Sequence, residues 1–187
     1  MARLIGGFDC ETTGFDATTG DRFVEVALLV YDADTGFRRA SFIERINPER
    51  AIPADATRVH KITFEDVAKC KPFDHFAGSV RKQLDFLDAL VIHNAGFDVP
   101  FLQSELRRCG QSDRMPKIID TMQRWATFDG KSPNLGELCL CMGVPYDPAK
   151  AHGADYDAEV MMEAYFKGAK RGFFEKLPPA EPMRSAA

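Results

Sequence analysis

Two acids one residue apart, Asp9 and Glu11 in the stretch FDCETTG, close a short apolar run that then turns on Thr-Thr-Gly. Side chains alternate along a strand, so Asp9 and Glu11 share one side while Cys10 takes the other. Two hard oxygen ligands on one face are what Mg²⁺ or Mn²⁺ requires. Asp98 follows the apolar run ALVIH, near the start of a helical segment, and could approach the same end of a sheet. Spacing sorts the acids of the last helical segment. Asp155, Glu159 and Glu163 recur every four residues as a polar stripe, whereas Asp157 falls among Val160, Met161, Ala164 and Gly168. An acid on a buried face must be paired, hydrogen-bonded or bound to metal. Asp157 is thus the natural fourth carboxylate, and His152 stands in the loop before it. Taken singly, each residue also has a plainer role: Asp9 and Glu11 as turn residues, Asp98 as an acid at a helix start, His152 as a loop histidine.

The elements that must position these residues are legible as patterns. Residues 4–9, 23–31 and 37–46 read as strands, with the turn DADTG between the last two, and predict a three-stranded antiparallel meander. Thr63 and Asp66 form a helix-start pattern, and a helix is expected over residues 73–87. Residues 89–93 have the short apolar run of a buried parallel strand, and an amphipathic segment over 97–109 stops at Gly110. Ile118-Ile119 form a last short run before Asp120, and a helical stretch is expected over residues 121–127. Asn134 caps a helix over 135–142 that ends at Gly143, and a long helix covers about residues 154–171. A meander followed by alternating strand and helix predicts an α/β fold with a mixed sheet and helices packed on it. Ligands in such sheets sit at the strand ends, where FDCETTG, NAGFD and the loop after Asp120 all fall.

At 187 residues the chain is sized for one domain, expected over residues 1–176, with a Pro-rich mobile tail over 177–187. No apolar run approaches the roughly 18 residues of a membrane span, and the N-terminus lacks a signal-peptide pattern. No membrane association and a cytoplasmic location are expected. The five scattered cysteines, with a lone CxC at Cys139 and Cys141, point to buried free thiols rather than a zinc site. A formal charge of −4 argues against gripping nucleic acid through a broad basic surface, though not against holding phosphates through metal ions. The basic clusters Arg38-Arg39, Arg107-Arg108 and Lys167, Lys170, Arg171 read as solvated faces.

Taken together, the motifs resemble the DEDDh family of 3′→5′ exonucleases, the DnaQ-like group with a ribonuclease H-like fold. FDCETTG matches D-x-E-T-T-G, Val59 to Thr63 resembles V-H-G-I-T with Lys61 in place of Gly, IHNAGFD resembles the second motif, and HGADYDA matches H-x-A-x-x-D-A. Asp120-Thr121 and Asn134 to Leu138 stand where related sequences have D-T and a leucine-bearing segment. The resemblance implies a mixed five-stranded sheet, three antiparallel strands then parallel ones, with helices on both faces. It implies metal ligands at Asp9, Glu11, Asp98 and Asp157, with Asp9 bridging two Mg²⁺ ions about 3.5–4 Å apart that Mn²⁺ could replace. It also implies a general base at His152, in a mobile loop, and a nucleoside 5′-monophosphate product. Thr12, Thr13 and Gly14 would hold the terminal nucleotide through their backbone, Phe15 would wedge against the last bases, and Asn94 and Phe97 would line the substrate groove, with Phe101 a further candidate. His60 reads as a supporting residue.

The expected substrate is the 3′ end of single-stranded nucleic acid, DNA slightly favoured over RNA, and the resemblance leaves room for a polymerase partner or a homodimer. A ribonuclease H-like endonuclease is the nearest rival, disfavoured by the His152 to Asp157 spacing and the Thr-Thr-Gly turn. A noncatalytic 3′-end-binding subunit would need no complete ligand set.

Overall fold

The computed structural model describes residues 3–122 and 130–177. Five strands form one sheet: β1 (Leu4–Thr12), β2 (Phe23–Asp32), β3 (Arg38–Arg45), β4 (Ala89–Ile92) and β5 (Lys117–Asp120), in the order β3-β2-β1-β4-β5. The meander β1-β2-β3 is antiparallel, and β4 and β5 extend it as parallel strands. This is the mixed sheet that the sequence pattern predicts. β2 is buried along its whole length, which is why it reads as an apolar run interrupted by Glu25 and ended by Asp32.

Helices cover both faces. α1 (Ala54–His60) and the one-turn α2 (Phe64–Val67) follow the meander, then α3 (Asp74–Asp85), α4 (Ala95–Arg108), α5 (Leu135–Met142) and α6 (Ala154–Lys170). α3 and α4 enclose one core with Phe8, Leu28, Leu90 and Ile92. α5 and α6 enclose the other with Ile5, Ala27, Leu29 and Val91. The expected caps are present: Thr63 with Asp66 and Asn134 with Glu137 each form a reciprocal capping box. Gly7 lets α6 lie against β1, because a Cβ there would stand 2.3 Å from Met162 Cγ.

Three features depart from the sequence reading. β1 continues through the acids to Thr12 instead of stopping at Asp9, because β2 pairs with it as far as Phe23. α1 has no counterpart in that reading; its start is marked by Pro53 at the N-cap and Asp55 in the first turn. Buried thiols hold for Cys10 and Cys139, but Cys70 and Cys109 are half-buried and Cys141 is exposed, since α5 turns it outward beside exposed Leu140. Of the helical stretch expected over 121–127, residues 123–127 lie outside the described residues, as do residues 178–187 of the expected tail. Leu177 packs on the core and its carbonyl accepts from Arg3 Nη1 at 2.8 Å. Arg38, Arg39, Arg107 and Lys167 are solvated and pair with Glu159, buried Asp32, Asp113 and Glu163. No helix among the described residues is long and apolar enough to cross a membrane.

Candidate active site

The pairing of β1 with β2 shifts register between Glu11 and Thr12. Such an irregularity bends a strand and re-aims its side chains, and here it lies at the last acid. Asp9 and Glu11 are on the α6 face of the sheet, and Cys10 is on the α4 face with Phe8. Asp98 in the first turn of α4 and Asp157 in the first turn of α6 therefore reach the end of β1 from opposite sides of the sheet.

Neither helix supplies its own side-chain cap, and each begins beside a non-glycine residue in the left-handed region, Asn94 at φ 74° and His152 at φ 62°. Carboxylates from neighbouring strands take the open amides. At the end of β5, Asp120 accepts from Asn94 N at 3.1 Å and Ala95 N at 3.0 Å. In β2, Glu25 accepts from Ala154 N at 2.9 Å.

The sequence-predicted site residues other than Phe101 line one cavity of about 670 Å³: Asp9, Glu11, Asp98, Asp157 and His152, with Thr12, Thr13, Gly14, Phe15, Asn94 and Phe97. Glu11, His152 and Asp157 each offer a ligand atom within 4.8 Å of the others. His152 itself is exposed, and its backbone N–H donates to Asp157 Oδ2 at 3.0 Å. Asp157 Oδ1 is buried without a hydrogen-bond partner. The Cys10 thiol donates to Asp98 Oδ1 at 3.2 Å, a contact on the α4 face that strand alternation alone does not suggest.

The carboxylates repel one another in a desolvated space. Burial, then Asp98, Glu11 and Asp157, push Asp9 well above the ordinary carboxylate range. Burial, then Asp157, Glu25 and Asp98, push Glu11 up to about 8. Burial raises Asp98 to about 7 against the Cys10 hydrogen bonds that lower it. Burial also raises Asp157, opposed by the His152 N–H. No Lys or Arg lines the cavity among the described residues. Crowded hard-oxygen donors without a cationic side chain, and one carboxylate oxygen left open, suit a divalent cation.

The Thr-Thr-Gly turn is held from beneath. Thr13 N donates to Arg22 O at 2.9 Å and its hydroxyl to Asp21 Oδ1 at 2.9 Å. Arg22 Nε is bound to buried Glu105 at 2.6 Å, tying the turn to α4. A Cβ on Gly14 would stand 2.2 Å from Asp21 Oδ2, which explains glycine there. Phe15 is 83% exposed and meets Phe97 edge-on at 6.4 Å. Phe101, 1% exposed, belongs to the core and does not line the groove, because it is turned toward Phe23. His60 is buried, and its Nδ1 accepts from Ile62 N at 3.1 Å, a supporting place at the cavity wall. Lys61 closes α1 at φ 62°.

Sequence reasoning misses Glu25, although the rule that selects Asp157 applies to it: an acid inside a buried apolar strand needs a partner. It also misses the wall contributed by Pro53, Ala56 and Val59 of the α1 region.

Residues 7–165 match the exonuclease family designated RNase_T. The DNA polymerase III subunit epsilon of Rickettsia conorii is 33% identical over 193 residues, covering 96% of this chain and 80% of that protein. Its counterpart from Treponema pallidum is 35% identical over 167 residues, covering 84% and 73%. Among solved structures, Escherichia coli exonuclease I in complex with a dA16 oligonucleotide aligns with a TM-score of 0.74 at 16% identity, over 90% of this chain. The zinc-bound form of its complex with single-stranded DNA gives 0.78 at 14%, and in both cases the alignment spans 41% of the exonuclease I chain. These structures share the fold. The chain belongs to the exonuclease family, in its DEDDh or DnaQ-like group, and is a metal-dependent 3′→5′ exonuclease.

Proposed function

We propose that the chain removes nucleoside 5′-monophosphates one at a time from the 3′ end of single-stranded DNA, using two Mg²⁺ ions that Mn²⁺ can replace. The observation that carries this reading is the convergence of Asp9, Glu11, Asp98, Asp157 and His152 on one cavity, with Asp157 Oδ1 lacking a hydrogen-bond partner. The four carboxylates are the proposed ligands. When bound, the ions would supply Lewis acidity at the scissile phosphate and at the attacking water.

The other steps belong to side chains of this protein. His152 takes the proton from the attacking water, a task suited to an imidazole near neutral pH. The Thr12 to Gly14 turn holds the terminal nucleotide through groups other than the Thr13 N–H, which donates to Arg22 O. Phe15 and Phe97, in a T-shaped contact at the cavity mouth, stack on bases without regard to sequence.

DNA is favoured over RNA because the similar chains are DNA polymerase subunits and the fold is shared with an enzyme crystallised on DNA oligonucleotides. The epsilon-subunit relatives also support a proofreading role beside a polymerase, in the cytoplasm, in preference to a homodimer. A complete carboxylate set disfavours a noncatalytic end-binding subunit. The substrate assignment is tested by comparing hydrolysis of single-stranded DNA, duplex DNA and RNA of one sequence in Mg²⁺. Preferred release of deoxynucleoside 5′-monophosphates from the single strand supports it, and preferred RNA turnover identifies an exoribonuclease.

A further inference from the structure

Glu25 is a buried acid that the hydrolytic scheme does not use. It stands directly opposite Glu11 in the β1–β2 ladder, on the same face of the sheet, and adds to the repulsion on that proposed ligand. A buried charge in an unfavourable place needs a compensating role. Two contacts supply it. Arg45 Nε binds Oε1 at 3.3 Å, and Oε2 accepts from Ala154 N, the first residue of α6. Gly153, the N-cap residue, has no side chain to do so.

The junction is short. His152 precedes Gly153 and Ala154, and its own N–H is fastened to Asp157 Oδ2. Ala154 therefore anchors the segment His152 to Asp157 to β2, at the strand position beside Glu11. We infer that Glu25 is a positioning residue, acting through the Ala154 amide to hold His152 and Asp157 in register with the β1 acids. The inference rests on the exonuclease reading and adds a residue that touches neither substrate nor metal in that scheme.

The test combines amide exchange with kinetics. In metal-free wild type, Ala154 N–H has no intrahelical acceptor. It should nevertheless exchange as slowly as amides inside α6; exchange at the rate of an exposed amide overturns the proposal whatever the variants do. Glu25→Met keeps the volume but removes the acceptor, and should speed Ala154 exchange at least about tenfold. Its kcat should fall about 10- to 100-fold with KM for DNA within about threefold. Glu25→Gln keeps an acceptor oxygen and should restore slow exchange and most of kcat. Wild-type kcat in Glu25→Met overturns the inference, as does equal inactivity of both variants with Ala154 still protected, which would assign Glu25 a direct role through its charge. An inactive wild type would instead count against the exonuclease reading, and slow Ala154 exchange would then still stand by itself.

Discussion

The backbone N–H of His152 donates to Asp157 Oδ2 at 3.0 Å, so the proposed base and the proposed fourth ligand are fastened to one another across the junction into α6. One Asp157 oxygen is thereby occupied, and the other is buried and open. A helix start thus delivers two functional groups as one unit.

Replacing Asp157 should separate catalysis from folding. Asp157→Asn keeps an oxygen to accept from His152 N while removing one charge from a repelling group. Activity should fall by at least about 10²-fold. Melting of the metal-free protein should stay level or rise, as followed by circular dichroism. A large drop in Tm would mean that Asp157 is chiefly structural.

The same crowding sets a pH dependence. Glu11 is pushed up to about 8 and Asp98 to about 7, each by burial first. A carboxyl raised above its unfolded value of about 4 binds its proton more tightly in the native state. Its contribution to stability is full below about pH 4 and is lost as pH rises through the folded values. Metal-free protein should therefore melt at progressively lower temperature between pH 5 and about 8, and saturating Mg²⁺ should flatten that loss. A metal-free Tm that climbs across the window contradicts the electrostatics described above.

Phe15 projects into solvent, 83% exposed, and contributes little to the core. Phe15→Ala should leave stability within about 0.5 kcal/mol. It should weaken single-stranded DNA binding by about 1–3 kcal/mol if the ring stacks on bases. Fluorescence titration of the catalytically disabled Asp157→Asn protein, with and without the Phe15 change, reads this directly; unchanged affinity removes Phe15 from the substrate site.

Lys61 closes α1 in the left-handed region at φ 62°, where a side chain costs roughly 1 kcal/mol relative to glycine. Lys61→Gly should raise the urea midpoint by an amount worth about 0.5–1 kcal/mol, with the slope and the activity unchanged. A destabilised variant would show that the contact of Lys61 Nζ with Arg58 O outweighs the strain.

The sheet was legible because its strands are short apolar runs with clear turns, and Asp157 because helical spacing sets it apart from Asp155, Glu159 and Glu163, all of which are exposed. Cys10 shows where periodicity stops. Alternation puts it on the far face from Asp9 and Glu11, but only the approach of α4 brings its thiol to Asp98. Glu25 and Asp120 act on helix amides distant in sequence, so no local pattern announces their partners. α1 is not legible in the sequence because seven residues between prolines and a left-handed lysine are too few for helical periodicity to emerge.

The proposed exonucleolytic hydrolysis takes place at the cavity where β1, α4 and α6 meet. A time course on 5′-labelled single-stranded DNA, with Mg²⁺ or EDTA and with wild type or Asp157→Ala, tests it most directly. Wild type with Mg²⁺ should give a ladder that shortens from the 3′ end, abolished by EDTA and by the substitution. Internal cuts, or tight binding without cleavage, would contradict it.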